Sequence, residues 1–185
     1  RGLGDVYKRQ LDTGLSAWNL AMGSQELYDW LDAEPQLFHP GDLDYIHSVE
    51  RISKLSNVIS INGGVQLDLM GQENAESTGT RQLSGVGGQM DFLEGAYRSK
   101  GGKGFICINS SRVTKDGERK SNILATIPGG STISAPRTMI QYVATEYGIA
   151  SLSGKTLRER AEAMASIAHP DFREELMKYA QENLK

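Results

Sequence analysis

Cysteine is almost missing from this chain: Cys107 is the only one in 185 residues. A single thiol excludes an internal disulfide framework and fits a reducing compartment, so a cytoplasmic protein is expected. Long apolar runs are missing too. None approaches the roughly 20 residues of a membrane span, and no charged-then-apolar signal segment opens the chain. An excess of positive charge is also lacking: 20 Lys and Arg face 23 Asp and Glu, for a net charge of -3. That balance disfavours nucleic acid and anionic membrane as partners. Histidine is scarce. His39, His47 and His169 are scattered, none with a second ligand at helical spacing, so no metal is expected.

The residues that are present suit one domain, or one compact half of a larger protein. Hydrophobic residues make up 38% and charged residues 23%, enough for a core and not the balance of a disordered chain. Glycine is the outlier, with 21 residues, about 11% against a usual ~7%. With no collagen period, that excess points to tight turns and close backbone approach to a ligand.

Arg1–Gln10 shares no period with the residues after it and looks like translated sequencing adaptor, so it is expected to be foreign to the fold. The chain lacks an initiator Met, and the natural protein is expected to begin further upstream. From Leu11 onward, helical and strand patterns alternate. Ser24 can cap a short helix in which Leu27, Trp30 and Leu31 share a face. Tyr45, Ile46, Val49 and Ile52 suggest a second helical stretch. Val58–Ile61 and Val65–Met70 read as strands, the second with one buried side. Residues 71–104 are polar and glycine-rich, with a helix expected near Met90–Ser99. Phe105–Ile108, Ile123–Ile127 and Met139–Thr145 are further strand candidates, and Asp116-Gly117 tips a hairpin turn. Thr156-Leu157-Arg158-Glu159 is a capping box, and His169-Pro170 ends one helix and begins another. Strands interleaved with helices argue for an α/β fold.

Two phosphate motifs fail on spacing. Ser153-Gly154-Lys155-Thr156 ends like a P-loop, but the glycine needed at position 149 is Ile149. Gly85-Val86-Gly87-Gly88-Gln89-Met90 lacks the third glycine of a dinucleotide fingerprint. There is no G-x-S-x-G elbow for a serine hydrolase. Cys107, inside an apolar strand, is expected to be an inert buried thiol. The glycine cluster remains: Gly85, Gly87 and Gly88 could set backbone N–H groups around a developing negative charge. Asn62, at a strand end, could offer its amide to an oxyanion. Glu146 closes another strand, where ligands of open α/β sheets collect. Each also has an ordinary reading as a turn glycine, a turn Asn or a surface Glu.

Together, Leu20–Ser24, Val58–Asn62, Leu67–Gln72, Ser84–Phe92 (SGVGGQMDF), Ser99–Lys103, Tyr142–Gly148, Gly154–Arg160 and Ile167–Phe172 resemble the C-terminal domain of the acetyl-CoA hydrolase/transferase family, the CoA-transferases. The GGQMDF segment looks like the butyryl-CoA:acetate and 4-hydroxybutyrate branch. The resemblance covers residues 11–185. It implies an α/β domain of the NagB/RpiA/CoA-transferase-like kind, with a mixed or mostly parallel sheet flanked by helices. It also implies ping-pong transfer of CoA between a short-chain acyl-CoA and acetate through a glutamyl-CoA thioester. CoA is then a cosubstrate, with no metal, and the partners are acyl-CoA, a short-chain carboxylate and the N-terminal half of the same enzyme, which is expected to be a homo-oligomer. The family keeps its nucleophilic glutamate in an H-T-E type motif. Here the three histidines precede Pro40, Ser48 and Pro170, so the nucleophile is expected outside this chain. Glu73, Glu76, Glu94 and Glu146 are not promoted in its place.

By the same resemblance, Asn62 matches the oxyanion asparagine and Glu146 an auxiliary active-site glutamate. Gly87 or Gly88 matches the glycine whose N–H faces the thioester, and Lys100 or Lys103 would lie near the CoA. The sequence departs from the family pattern at Gly63-Gly64 and at Glu73-Asn74, beside the oxyanion asparagine. An acetyl-CoA hydrolase and a non-catalytic module that binds CoA or a partner are the alternative readings.

Overall fold

The computed structural model describes residues 11, 16–18 and 21–184. The leader Arg1–Gln10 and Leu20 of the first family-like segment lie outside them. A four-stranded sheet organises the rest, in the spatial order Gly148–Ser151, Tyr142–Thr145, Lys103–Cys107, Ile59–Gly63. The last three of these are mutually parallel, and Gly148–Ser151 returns antiparallel as a hairpin. The sheet is therefore mixed and mostly parallel, as the α/β reading expects.

Register gives the sheet two different faces, because side chains alternate along each strand. On the inner face Asn62 pairs with Ile106, Ile106 with Val143, and Val143 with Ala150. Ile106 and Val143 are fully buried there with Leu93, Leu152 and Met164. The helices Gln89–Arg98, Leu157–Ser166 and Pro170–Asn183 contribute to this core. On the outer face, Ile59, Ile61 and Ile149 stand 55%, 69% and 63% exposed, with Phe105 stacked on Tyr142 at 4.9 Å. A sheet face this apolar and this bare is unusual for a complete globular unit.

The helix Gln89–Arg98 turns tightly through Ser99–Gly102 into Lys103–Cys107 and packs Leu93 over Gly104. It runs back along that strand, so its N-terminus reaches the carboxyl end of the sheet. The capping box forms: Thr156 N–H donates to Glu159 at 2.8 Å, and Thr156 Oγ1 accepts from Glu159 N–H at 3.3 Å. His169 caps the last helix, with Pro170 as its first residue. The Asp116-Gly117 turn forms as expected, between Ser111–Val113 and Arg119–Ser121, with Gly117 at φ +82°.

Several local expectations change. Gln66–Asp68 is shorter than the Val65–Met70 strand and is buried on both sides, because it sits in a second small sheet between Ile123–Leu124 and Glu73–Asn74. Its Asp68 is tolerated at 0% exposure because it accepts from the backbone of Met70 and Gln72 and from the Gln72 side chain. The stretch from Tyr45 to Ile52 breaks into Leu43–Ile46 and Val49–Lys54, since Ser48 caps the second piece. Ser24 holds the N-cap position of Gln25–Ala33 with no side-chain hydrogen bond. Cys107 is exposed, not buried: it falls on the outer face, opposite to its neighbour Ile106.

Candidate active site

The carboxyl ends of the parallel strands enclose a cleft of 420 Å³, lined by Gly64, Cys107, Ile108, Asn109, Ala144, Thr145 and Glu146. Each lining residue stands at or just past a strand end, where backbone groups are released from the ladder. A larger cavity of 550 Å³ lies elsewhere, between Arg119–Ser121 and the last helix. None of the site residues singled out by sequence lines it, whereas Glu146 lines the strand-end cleft.

Glu146 is held in place from two sides. Thr145 Oγ1 donates to the Ile167 carbonyl at 2.7 Å and accepts from Tyr147 N–H, which pins the hairpin turn to the helical layer. Across the cleft, Ser110 donates its N–H to Glu146 Oε2 at 2.9 Å and its hydroxyl to Oε1 at 2.6 Å. Ser110 is itself buried and fixed by Asn122, whose N–H meets the Ser110 carbonyl and whose side chain meets the Asn109 carbonyl. Glu146 is exposed, and the desolvation it still meets at the cleft pushes its carboxyl up. The Ser110 hydroxyl and N–H, its own backbone and nearby His169 outweigh that and hold it below the usual carboxylate range. Glu146 is thus an oriented anion, suited to positioning a polar group rather than to storing a proton.

Asn62 sits on the inner face, two residues before Gly64. Its Nδ2 donates one proton to Ser60 Oγ at 2.8 Å. Ser60 is 5% exposed and shares Asn62's side of the strand. The amide is therefore oriented, with its second N–H left for an acceptor. The glycine turn reaches the same edge. Gly87 has φ +60°, Gly88 is the N-cap of Gln89–Arg98, and no atom lies within 4 Å of a Cβ built at Gly85 or Gly87. Alternating left- and right-handed residues at a helix N-terminus point successive N–H groups outward, the geometry of an anion nest. At Gly88 a Cβ would fall 2.2 Å from the His47 ring, so His47 backs the turn and would have to move for any larger residue there.

Asn62, the Gly87-Gly88 turn and Glu146 thus lie toward the same edge of the sheet, although of these only Glu146 lines the cleft. Lys100 and Lys103 do not join them. Lys103 opens its strand at the amino end, about 13 Å from Cys107 at ~3.3 Å per residue, and Lys100 lies just before it. Sequence reasoning did not find Ser60, Thr145 or Ser110. Ser60 carries a local signal, two residues from Asn62 on one strand face. Ser110 carries none, since its partner is 36 residues away. Among the described residues no three His, Cys, Asp or Glu side chains form a metal-holding group, and no helix is long and apolar enough to cross a membrane.

Comparison with known proteins places the chain in a family. Residues 23–180 match the family model described as the acetyl-CoA hydrolase/transferase C-terminal domain. The butyryl-CoA:acetate CoA-transferase of Anaerostipes caccae is 42% identical over 174 residues, covering 94% of this chain and 39% of that protein. The 4-hydroxybutyrate coenzyme A transferase of Clostridium kluyveri is 45% identical over 170 residues, covering 92% and 39%. Among solved structures, RipA from Yersinia pestis superimposes with a TM-score of 0.84 at 38% identity, over 95% of this chain and 39% of that one. The chain spans well under half the length of the relatives it matches. It belongs to the acetyl-CoA hydrolase/transferase family, as a C-terminal domain of that family.

Proposed function

We propose that this chain is the C-terminal part of an acyl-CoA:carboxylate CoA-transferase acting on a short-chain acyl-CoA such as butyryl-CoA, with acetate as acceptor. The observation that carries the reading is the Glu146 carboxylate, held by Ser110 in the strand-end cleft, with the oriented Asn62 amide and the Gly87-Gly88 turn toward the same sheet edge. Acyl transfer develops negative charge on a thioester or anhydride oxygen, and preoriented N–H donors stabilise it by several kcal/mol in total, about 3 for each donor. In this reading Asn62 donates its free N–H to that oxygen, and the N–H of Gly87 or Gly88 faces the thioester. Glu146, already ionised, orients the acceptor without competing for its proton. Lys100 and Lys103 stand where only the far end of an extended CoA would reach.

The nucleophilic glutamate, in this proposal, comes from the N-terminal half of the same enzyme. The bare outer face, with Ile59, Ile61, Phe105, Tyr142 and Ile149, supports a covering segment there. The test joins this chain to the segment that precedes the matched region in the butyryl-CoA:acetate relative, then supplies butyryl-CoA and acetate. Appearance of acetyl-CoA supports the transferase reading. Free CoA without a new thioester would replace it with the hydrolase reading. Binding of CoA with neither product would leave the non-catalytic module. The unjoined chain is expected to show no turnover, and transfer by a contaminant-free sample would overturn the external nucleophile.

A further inference from the structure

Gly64 and Glu73, nine residues apart in the chain, touch each other in the fold. Glu73 lies in the short strand Glu73–Asn74, bridged to Ala135 and paired with Leu67, and is 0% exposed. Its Oε2 accepts from the side-chain amide of Gln89. Its Oε1 is buried with no hydrogen-bond partner. A Cβ on Gly64 would stand 2.7 Å from that Oε1 and 3.2 Å from Ile106 Cγ2. The space left by the absent Gly64 side chain is thus the space the carboxyl group fills. Gly64 lines the strand-end cleft, and Gln89 directly follows the Gly87-Gly88 turn. One buried carboxyl group therefore touches both the cleft wall at Gly64 and the side chain of the residue that follows the glycine turn.

We propose that Glu73 is a positioning residue of this site: its buried carboxyl group ties the glycine turn, through Gln89, to the cleft wall at Gly64. The site's identity as an acyl-CoA cleft rests on the function proposed above; the tie itself does not. In the neutral form Oε2 acts as a carbonyl toward Gln89 and Oε1 carries the proton, so no charge faces the apolar gap beside Ile106. Burial raises this acid to about 8, the Gln89 bond pulls weakly the other way, and no charged group contributes. Ionisation would put an unsolvated charge against Gly64. Water entering there, or the carboxylate swinging out, relieves it, and either moves the wall relative to the turn. The other titratable groups at the turn are His47, which packs against Gly88, and Asp91, 3.6 Å from His47. Both stay in place when Glu73 is changed.

The test is a carbon-detected magnetic-resonance titration of the ¹³C-labelled chain from pH 5 to 9.5, following Glu73 Cδ, Gln89 Cδ and the Cα of Gly64, Gly87 and Gly88. A shared midpoint near 8 is expected in all five, and its loss from the remaining four in Glu73→Gln, while any movement due to His47 and Asp91 persists. A Glu73 midpoint in the ordinary carboxyl range overturns the proposal. So does a raised midpoint that the glycines do not follow, which would make Glu73 merely a buried acid. If Glu73→Gln does not fold, the wild-type titration still decides between these outcomes. CoA is then titrated at pH 7 and pH 9. Wild-type affinity is expected to fall about fivefold or more and the Glu73→Gln affinity to stay level. Equal pH dependence in both overturns a role in the site. Absence of any CoA-induced shift at Asn62, Gly87, Gly88 or Glu146 overturns the acyl-CoA reading and leaves the tie to the first titration.

Discussion

Glu146 draws its character from Ser110. Two hydrogen bonds from one residue both orient the carboxylate and lower its pKa. Ser110→Ala removes the hydroxyl donor and leaves the N–H. The Glu146 titration midpoint is expected to rise toward the ordinary carboxylate value, measured by carbon-detected titration of its Cδ. An unchanged midpoint would mean the hydroxyl contributes nothing. Gly64 gives a second test at this scale. Gly64→Ala drives a methyl group to 2.7 Å from Glu73 Oε1 and 3.2 Å from Ile106. Both neighbours are buried, so overpacking of about 1–3 kcal/mol is expected by denaturant unfolding. Gly63→Ala, with nothing within 4 Å, should cost far less.

The helix Leu157–Ser166 depends on two different anchors. Its capping box is exposed and local. Arg160, 8% exposed, donates to the carbonyls of Met70, Leu152 and Arg137 at 2.8, 2.9 and 2.7 Å. Thr156→Ala should cost about 1 kcal/mol. Arg160→Ala should cost more, about 2–3 kcal/mol, because it removes donors from the buried Leu152 carbonyl and from the carbonyls of Met70 and Arg137 at once. Equal costs in chemical denaturation would contradict this ranking. Arg160 also shows why element boundaries were easier to read than their packing. Thr156 and Glu159 announce the helix start within four residues. Nothing near Arg160 announces that residues 70, 137 and 152 will converge on it.

Glu73 acts on the molecule as a whole through its proton. It holds that proton more tightly folded than unfolded, from an ordinary 4.5 up to about 8. Unfolding therefore releases the proton across that window, and stability falls as pH rises from about 4.5 to 8, by an amount on the order of a few kcal/mol. Glu73→Gln should flatten the fall in thermal midpoint between pH 5 and 8; parallel curves would refute it. Glu146 acts in the opposite sense, since its stabilising effect is present above the ordinary carboxylate range and fades as pH drops through it. The bare sheet face gives a further expectation at this scale. The isolated chain should bind an apolar fluorescent dye, and Ile61→Lys with Ile149→Lys should reduce that signal by more than half. Dye binding unchanged by the pair would place the apolar surface elsewhere.

The α/β alternation, the hairpin at Gly117, the capping box at Thr156 and the helix start at Pro170 were all legible in the order of residues. These are local rules, each satisfied by residues within a few positions. Asn62, Gly87, Gly88 and Glu146 stood out for the same reason, because glycine at a helix N-terminus and polar residues at strand ends are local patterns as well. Which sheet edge each of them faces follows from the register. The parallel register brings three strand ends and one helix N-terminus to a single edge, and leaves Lys100 and Lys103 at the other. Packing also turned Cys107 outward and buried Gln66–Asp68 on both sides, since burial depends on what packs above a strand rather than on its own alternation. Ser110 with Glu146, and Gly64 with Glu73, are contacts between distant segments. No local pattern encodes them, because their energy comes from desolvation and hydrogen bonding that exist only once the chain has closed around them.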